Sequence, residues 1–561
     1  MGIKATTVSE QREMIVEASA PHDTAIGITA NSLNPFLLED YAGVATWAGK
    51  PIYNQAQVRN QIDSGTILNS KNGVVTFSFS KQPTGLYNSP KEGFPEPAGF
   101  SQFSAAEQAT AREAIKLWDD LIPLKFVEKN GQGADILFAN TTTGPAQAWA
   151  YYPGEQKYKH VSSDVWTADP EVNWTNGWLG YGDYGRTTLV HELGHTLGLS
   201  HPGDYNFGDD TDGDGQPDPI TYEGDAFYAQ DTMQYSIMSY FSQQKSGAQA
   251  INVSVGLLAY AQTPLLHDIM TIQAKYGADM TTRVGNTNYF SNSNAGNPVY
   301  DLAKNPFPFL SVYDAGGEDT FDFSSANSGV FIDLRPGAFS SATLGYQTMD
   351  QANQAIAAFN AVSDEAQGDL SPWNHTPGSA DNYEDWIAFV QAIGASRVRA
   401  DTGVSGITAT SHRNISIAYN TIIENANGGS ARDYLFGNDV ANKLNGNGGD
   451  DVLDGSKGND IYTGGAGNDE FRISQIGYTD RITDFAAGDR IRVSEIDANA
   501  TNAAGTNDAF SFIGNAAFGH VAGQLRYDGN VVQGDVNGDG VADFSIVIQN
   551  HAILGASDFF L

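Results

Sequence analysis

The chain has 561 residues, no cysteine, and 66 acidic against 30 basic side chains, a formal charge of −36. That length exceeds what one core organises and implies two or more domains. The acid excess excludes nonspecific nucleic-acid binding, and the missing thiols exclude a disulfide framework, a cysteine nucleophile and a thiolate metal ligand. No apolar run is long enough to suggest a membrane span.

Residues 1 to 45 are polar and without a clear period, and they read as a leader or propeptide-like segment. Met1 to Ala20 holds no apolar core of the signal-peptide kind. Val74 to Ser80 alternates as a strand does, and Ala105 to Leu121 has helical apolar spacing. Ala134 to Ala139 predicts a second strand. A helix is expected from Tyr184 to Leu199 and another over Pro264 to Tyr276. The first domain therefore spans 46–282.

The helix at 184–199 carries the richest chemistry, His191-Glu192-Leu193-Gly194-His195-Thr196-Leu197-Gly198-Leu199-Ser200-His201. Residues four apart share a helix face, so His191 and His195 can aim at one ion, with Glu192 beside the open position. Gly198 lets the chain leave the helix through a backbone conformation that side chains disfavour, bringing His201 back as third ligand. Three neutral nitrogens suit one catalytic Zn²⁺ with a vacant fourth position. Glu192 is then the general base and acid for peptide-bond hydrolysis.

Beyond residue 283 the composition turns to glycine, aspartate and asparagine. Gly428, Gly437, Gly446, Gly455 and Gly464 recur every nine residues, each followed five residues later by Asp433, Asn442, Asp451, Asp460 or Asp469. The apolar Leu435, Leu444, Leu453, Tyr462 and Phe471 come two residues after those. This nonapeptide register over 428–472 predicts a calcium-binding parallel β-roll. Ala431 and Val440 replace glycine in the first two repeats and weaken their sites. Two acidic loops share the pattern D-x-[DN]-x-D-G-x-x-D and are further calcium candidates: Asp210, Asp212, Asp214 and Asp218, then Asp535, Asn537, Asp539 and Asp543. The segment 346–411 interrupts the second domain, 283–561, with helix-like spacing over Met349 to Val362 and Tyr383 to Ile393, and predicts a helical excursion packed on the roll.

HExxHxxGxxH followed by Ser236-Ile237-Met238-Ser239-Tyr240 resembles the metzincin endopeptidases with their methionine turn. Pro202-Gly203-Asp204-Tyr205-Asn206 after the third histidine resembles the serralysin branch. The resemblance implies an α+β zincin-type catalytic domain followed by an all-β parallel roll. It makes Met238 a platform under the metal and Tyr240 a retractable zinc ligand that stabilises the oxyanion. By the same resemblance, Ala134 to Ala139 is the edge strand that pairs with bound peptide. Arg283, Gly285, Thr287, Asp314, Gly316, Gly317, Asp319 and Glu424 match calcium-ligating segments where the domains meet. The implied partners are protein and peptide substrates, a type I secretion apparatus that reads a C-terminal signal such as Asp558-Phe559-Phe560-Leu561, and a proteinaceous inhibitor. The implied location is extracellular, with cell-surface association an option. The rival reading is a calcium-dependent surface or adhesion protein with a vestigial zincin domain.

Overall fold

The computed structural model describes residues 11, 14–15, 35–82, 93–131, 133–154, 161–205, 218–363, 369–502 and 507–561. The first domain is a twisted sheet backed by helices. Its longer helices are α1 (Gln55–Ile62), α2 (Ala105–Asp119), α3 (Tyr184–Thr196) and α4 (Leu266–Tyr276). Its strands are β1 (Val74–Phe79), β2 (Phe100–Ser101), β3 (Lys125–Glu128), β4 (Ile136–Thr141), β5 (Ala148–Ala150) and β6 (Val165–Ala168). They pair in the order β3-β1-β4-β6-β5, with β2 alongside β4.

α2 starts at a reciprocal cap in which Glu107 N–H donates to Ser104 Oγ at 3.2 Å and Ser104 N–H to Glu107 Oε2 at 2.7 Å. Its Ala111, Ala114, Ile115 and Trp118 fall on one buried face. From that face Trp118 Nε1 donates to Val190 O at 3.1 Å, fastening α2 across α3. α3 is buried on every side but Arg186, so it is the central helix of the domain rather than an amphipathic surface one. It stops at Thr196, three residues before the expected end. Gly198 then takes φ +88°, where a Cβ would strike Thr66 O.

One expectation is overturned here. β4, which holds most of Ala134 to Ala139, is an interior strand flanked by β1 and β6 and buried at all six positions. The terminal strand on the side of α3 is β5, antiparallel to β6 with Ala148 opposite Thr167. An unbroken apolar run belongs to a strand covered on both faces, whereas an edge strand needs no such run.

The second domain is the expected roll, wound between a six-stranded and a ten-stranded sheet. Leu435, Leu444, Leu453, Tyr462 and Phe471 are all buried between them. The winding extends past the nonapeptides in both directions. Thr320–Asp322 pairs in parallel with Asn425–Asn427, and Phe331–Asp333 with Tyr434–Phe436, while Arg490–Arg492 and Thr479–Ile482 continue the two ladders.

The segment 346–411 is helical, with α5 (Met349–Asn360) and α6 (Tyr383–Thr402). It does not pack on the roll alone. Trp373 Nε1 donates to Ser254 O at 2.6 Å and Trp386 Nε1 to Val253 O at 2.9 Å, both in the first domain. Val398, Val404 and Ile407 meet Phe331, Tyr434 and Val452 of the roll. The excursion therefore bridges both domains. α6 runs nine residues beyond its expected end, with Gly394 pressed against Ala409 O where no side chain fits.

Residues 35–51 also join the two domains. Arg335 Nη2 donates to Pro35 O at 3.0 Å, and Glu39 meets both His267 Nε2 (2.9 Å) and the Tyr419 hydroxyl.

Candidate metal centre

His191 and His195 lie one turn apart on α3, and the turn at Gly198 returns His201 to them. His201 Nε2 lies 3.2 Å from His191 Nε2 and 3.1 Å from His195 Nε2. The other nitrogen of each helical histidine is engaged: His191 Nδ1 at 2.8 Å from Ile237 O, and His195 Nδ1 at 2.8 Å from Leu199 O. A carbonyl only accepts, so both rings carry their proton on Nδ1 and turn an Nε2 lone pair inward. Burial, joined by the neighbouring His195, pushes His191 down to about 3, and burial pushes His195 down to about 4. Buried ring nitrogens gathered this closely could hold a metal ion between them. The donor set, all nitrogen and within 4.8 Å, fits zinc.

Met238 is fully buried below this cluster. A Cβ on Gly194 would lie 2.5 Å from Met238 Sδ and 3.3 Å from Trp118 Cζ2, so the fourth residue of the motif must be glycine for the methionine turn to reach the helix. Asp268 of α4, absent from the sequence reading, fixes that turn. Its carboxylate accepts from Ser236 Oγ (2.6 Å), Ile237 N–H (2.7 Å) and Leu265 N–H (2.8 Å). Burial lifts it to about 6 against those three hydrogen bonds. Since Ile237 O orients His191, Asp268 acts on that imidazole at one remove. A second unforeseen group is Asp231, whose Oδ1 accepts from Tyr205 OH at 2.7 Å and Ser239 Oγ at 2.8 Å. Tyr205 in turn stacks on His201, with ring centroids 5.6 Å apart. Neither aspartate sits in a motif; each is a lone acid among mixed neighbours.

Glu192 is buried, with Oε2 lacking a partner among the described residues and Ala150 N–H facing the carboxylate from β5. Burial lifts it to about 8. Tyr240 leans over the cluster, 4.4 Å from the His201 ring and 6.1 Å from that of His191. Burial, then Glu192 and Tyr152, drives its phenol far up, so it stays protonated. Tyr152 faces His195 edge-on at 5.4 Å from across the cleft.

The calcium candidates divide into three groups. Around the domain junction, Thr287 N–H donates to Asp319 Oδ1 (2.7 Å), Asp319 N–H to Glu424 Oε2 (2.7 Å), and Gly316 N–H to Asp314 Oδ1 (2.9 Å). Gly317 packs on Asp319 and Gly285 O, where a Cβ would lie 2.7 Å from each. The side chain of Arg283 is committed elsewhere, to Asp120 at 2.6 Å.

In the roll, each repeat glycine abuts the carboxylate or amide of its own repeat, Gly428 on Asp433 through Gly464 on Asp469, which explains the nine-residue glycine. Asp433, Asp451 and Asp469 form one column, each amide donating to the next carboxylate at 2.8–2.9 Å. Asn442 and Asp460 form the other. The columns run on to Asp489 and Asp480. Both were missed because the step there lengthens from 18 to 20 residues. Asp451, Asp460 and Asp469 keep an Oδ2 without a partner among the described residues.

In the loop at 535–543, the carboxylates turn to their own backbone: Asp535 accepts from Gly538 N–H (2.7 Å) and Gly540 N–H (2.9 Å), Asp543 from Val536 N–H (2.7 Å). Asp539 accepts from Val541 N–H, and Asn537 Nδ2 donates to Asp543. Asp210, Asp212 and Asp214 lie outside the described residues; Asp218 is half-buried.

Family comparisons agree with this geometry. Residues 100–206 match the Matrixin model, and 278–369 with 398–561 match the model described as Peptidase M10 serralysin C terminal; the intervening 370–397 belong to the helical excursion. The chain is similar to Metalloprotease AprA of Pseudomonas entomophila (strain L48), 35% identical over 537 residues, 93% of each chain. It is also similar to a serralysin of Proteus mirabilis, 32% identical over 71% of this chain and 65% of that one, and to Serralysin G of Dickeya chrysanthemi, 36% identical over 52% and 59%. The two family matches and the 35% identity over 93% of the chain show that this chain belongs to the serralysin family of zinc metalloendopeptidases.

Proposed function

We propose that His191, His195 and His201 hold the zinc and that Glu192 carries the proton during peptide-bond hydrolysis. The single observation behind this reading is the convergence of three Nε2 atoms beside a buried carboxylate oxygen that lacks a partner among the described residues. Zinc, when bound, supplies Lewis acidity that readies water for attack and polarises the peptide carbonyl. Glu192 accepts a proton on Oε2 and returns it to the leaving amine. Tyr240 keeps its hydroxyl proton and donates it as a hydrogen bond to the oxygen that gains charge. The outer edge of β5, which packs against α3, offers backbone groups to an extended substrate.

The roll is a calcium-dependent scaffold in this reading, supported by the buried, partly unpartnered Oδ2 atoms of its aspartate columns. Export by a type I route, followed by folding as calcium neutralises those columns, accounts for an acidic roll. The adhesion alternative is disfavoured because a vestigial domain has no reason to keep the triad, Glu192 and the methionine turn in register.

The test is Glu192→Gln. The variant is expected to bind one zinc per chain and melt as the parent does, while casein hydrolysis falls by about 10²–10⁴-fold. Retention of full activity by a zinc-loaded Gln variant would refute the role.

A further inference from the structure

A groove of about 490 Å³ lies on the outer face of the ten-stranded sheet and shares no residue with the metal centre. Its floor is four neighbouring strands of the roll, Thr320–Asp322, Asn425–Asn427, Lys443–Asn445 and Ile461–Thr463. The middle residue of each, Phe321, Ala426, Leu444 or Tyr462, is buried inside the roll. Side chains alternate along a strand, so the residues on either side of these face out. The parallel register stacks them in two rows. One runs Thr320, Asn425, Lys443, Ile461, and the other Asn427, Asn445, Thr463. Along a row the side chains repeat at the strand spacing of roughly 4.8 Å.

Asparagine is depleted in strands, so strand formation does not explain Asn425, Asn427 and Asn445 on two adjacent ones. Part of this set is braced from within. Asn425 Nδ2 donates to Asp319 O at 3.1 Å, and Asn445 Nδ2 to Asn447 Oδ1 at 2.8 Å. The Asn427 carboxamide and the Thr320 hydroxyl have no hydrogen-bond partner among the described residues. A carboxamide offers a donor beside an acceptor, which matches a pair of neighbouring hydroxyls on a sugar ring. One unit of a linear glycan is about as long as the strand spacing, so successive units laid across the strands meet equivalent side chains. Ile461 supplies an apolar contact for a ring face. Two other occupants fit less well. The four strands are interior to the sheet, so no free backbone edge invites an added peptide strand. Lys443 is the one cation among the lining residues and is paired with Glu318, and the chain carries a charge of −36, so a polyanion is repelled.

We infer that this groove binds a neutral, linear polysaccharide running across the strands, with Thr320, Asn427 and Asn445 as its main contacts. The groove lies wholly in the second domain, so glycan binding and peptide hydrolysis are separable properties of one chain.

The experiment is native electrophoresis of the calcium-loaded full chain through gels cast with one soluble glycan each: mixed-linkage β-glucan, glucomannan, dextran or the anionic hyaluronan. The parent should be retarded by at least one neutral glycan, and the retardation at several glycan concentrations gives an apparent Kd. The double variant Thr320→Val/Asn427→Leu removes polar groups that hold nothing within the chain. Its Kd should rise by about tenfold or more, while its mobility in a plain gel, its melting temperature and its casein hydrolysis stay those of the parent. No retardation in any neutral gel overturns the inference, as does retardation by hyaluronan alone. A Kd unchanged in the double variant overturns it too, because the glycan is then held elsewhere. Displacement of the glycan by a pool of casein peptides would assign the groove to polypeptide instead. If the double variant does not fold, Asn427→Ala takes its place, with a smaller rise expected and an unchanged Kd again fatal.

Discussion

Gly194→Ala tests whether the methionine turn and the zinc helix are fitted to each other. The new Cβ would sit 2.5 Å from Met238 Sδ and 3.3 Å from both Met238 Cε and Trp118 Cζ2. Relaxed contacts lie at about 3.5–4.0 Å, so the sulfur must retreat by roughly 1 Å in a site already closed by Trp118. Such overpacking costs about 1–3 kcal/mol. Alanine in mid-helix returns about 1 kcal/mol of propensity, so the net effect in the parent is a loss of up to about 2 kcal/mol. Truncating Met238 removes the obstacle at its own cost of about 2–5 kcal/mol. In the Met238→Ala background, Gly194→Ala should therefore become stabilising by about 1 kcal/mol. Urea denaturation at buffered free zinc gives the four corners of the cycle, with an expected coupling of about 1–3 kcal/mol. If Gly194→Ala stabilises equally in both backgrounds, the argument that this glycine exists for the methionine fails.

Asp268→Asn should weaken zinc binding by about 10–100-fold, because the amide cannot accept from Ile237, Leu265 and Ser236 together and Ile237 O then no longer fixes His191; a competitive zinc-buffer titration measures it. An unchanged zinc affinity in a folded variant would contradict the link. The metal-free roll should lose stability as pH rises. Burial raises Asp433, Asp451 and Asp460 to about 8 and Asp480 to about 7, with neighbouring carboxylates adding to the rise in Asp451 and Asp460. The unfolded chain releases those protons near pH 4, so between pH 4 and 8 the folded state holds more protons and stability falls through that window. Four such groups contribute a slope of at most about 5 kcal/mol per pH unit. Thermal melts of metal-free protein from pH 5.5 to 8 should show this fall, and millimolar calcium should abolish it; a melting temperature that rises with pH in the absence of metal would refute the sign.

The histidine cluster was legible because helical geometry fixes it locally: two histidines four apart, a glycine that ends the helix, and a third histidine on the returning chain. The roll was legible for a similar reason, each glycine being demanded by the aspartate or asparagine of its own repeat. Sequence failed where neighbours in space are distant in the chain. Nothing in Asp268 or Asp231 announces which carbonyl or ring it will fix. The order of strands is equally silent, although the solid apolar run of Ile136 to Ala139 already favoured an interior position over an edge. The columns at Asp480 and Asp489 were lost to a change of step, and the two-domain footing of the excursion to tryptophans whose partners are more than 100 residues away.

The excursion also shows how such a coil can be lengthened sideways. Phe339–Ser340, where the chain departs, and Ile415–Ile417, where it returns, lie antiparallel with Phe339 opposite Ser416 and Ser340 opposite Ile415. They form the neck of a flask, closed at its base whatever the bulb contains. Above and below that neck the winding proceeds in unbroken alignment, Phe321 beside Ala426 and Ile332 beside Leu435. A solenoid built from nearest-neighbour contacts tolerates this, since no turn depends on any but the adjacent ones. The neck is thus a socket at which one bulb can be exchanged for another while the thread of the screw stays continuous.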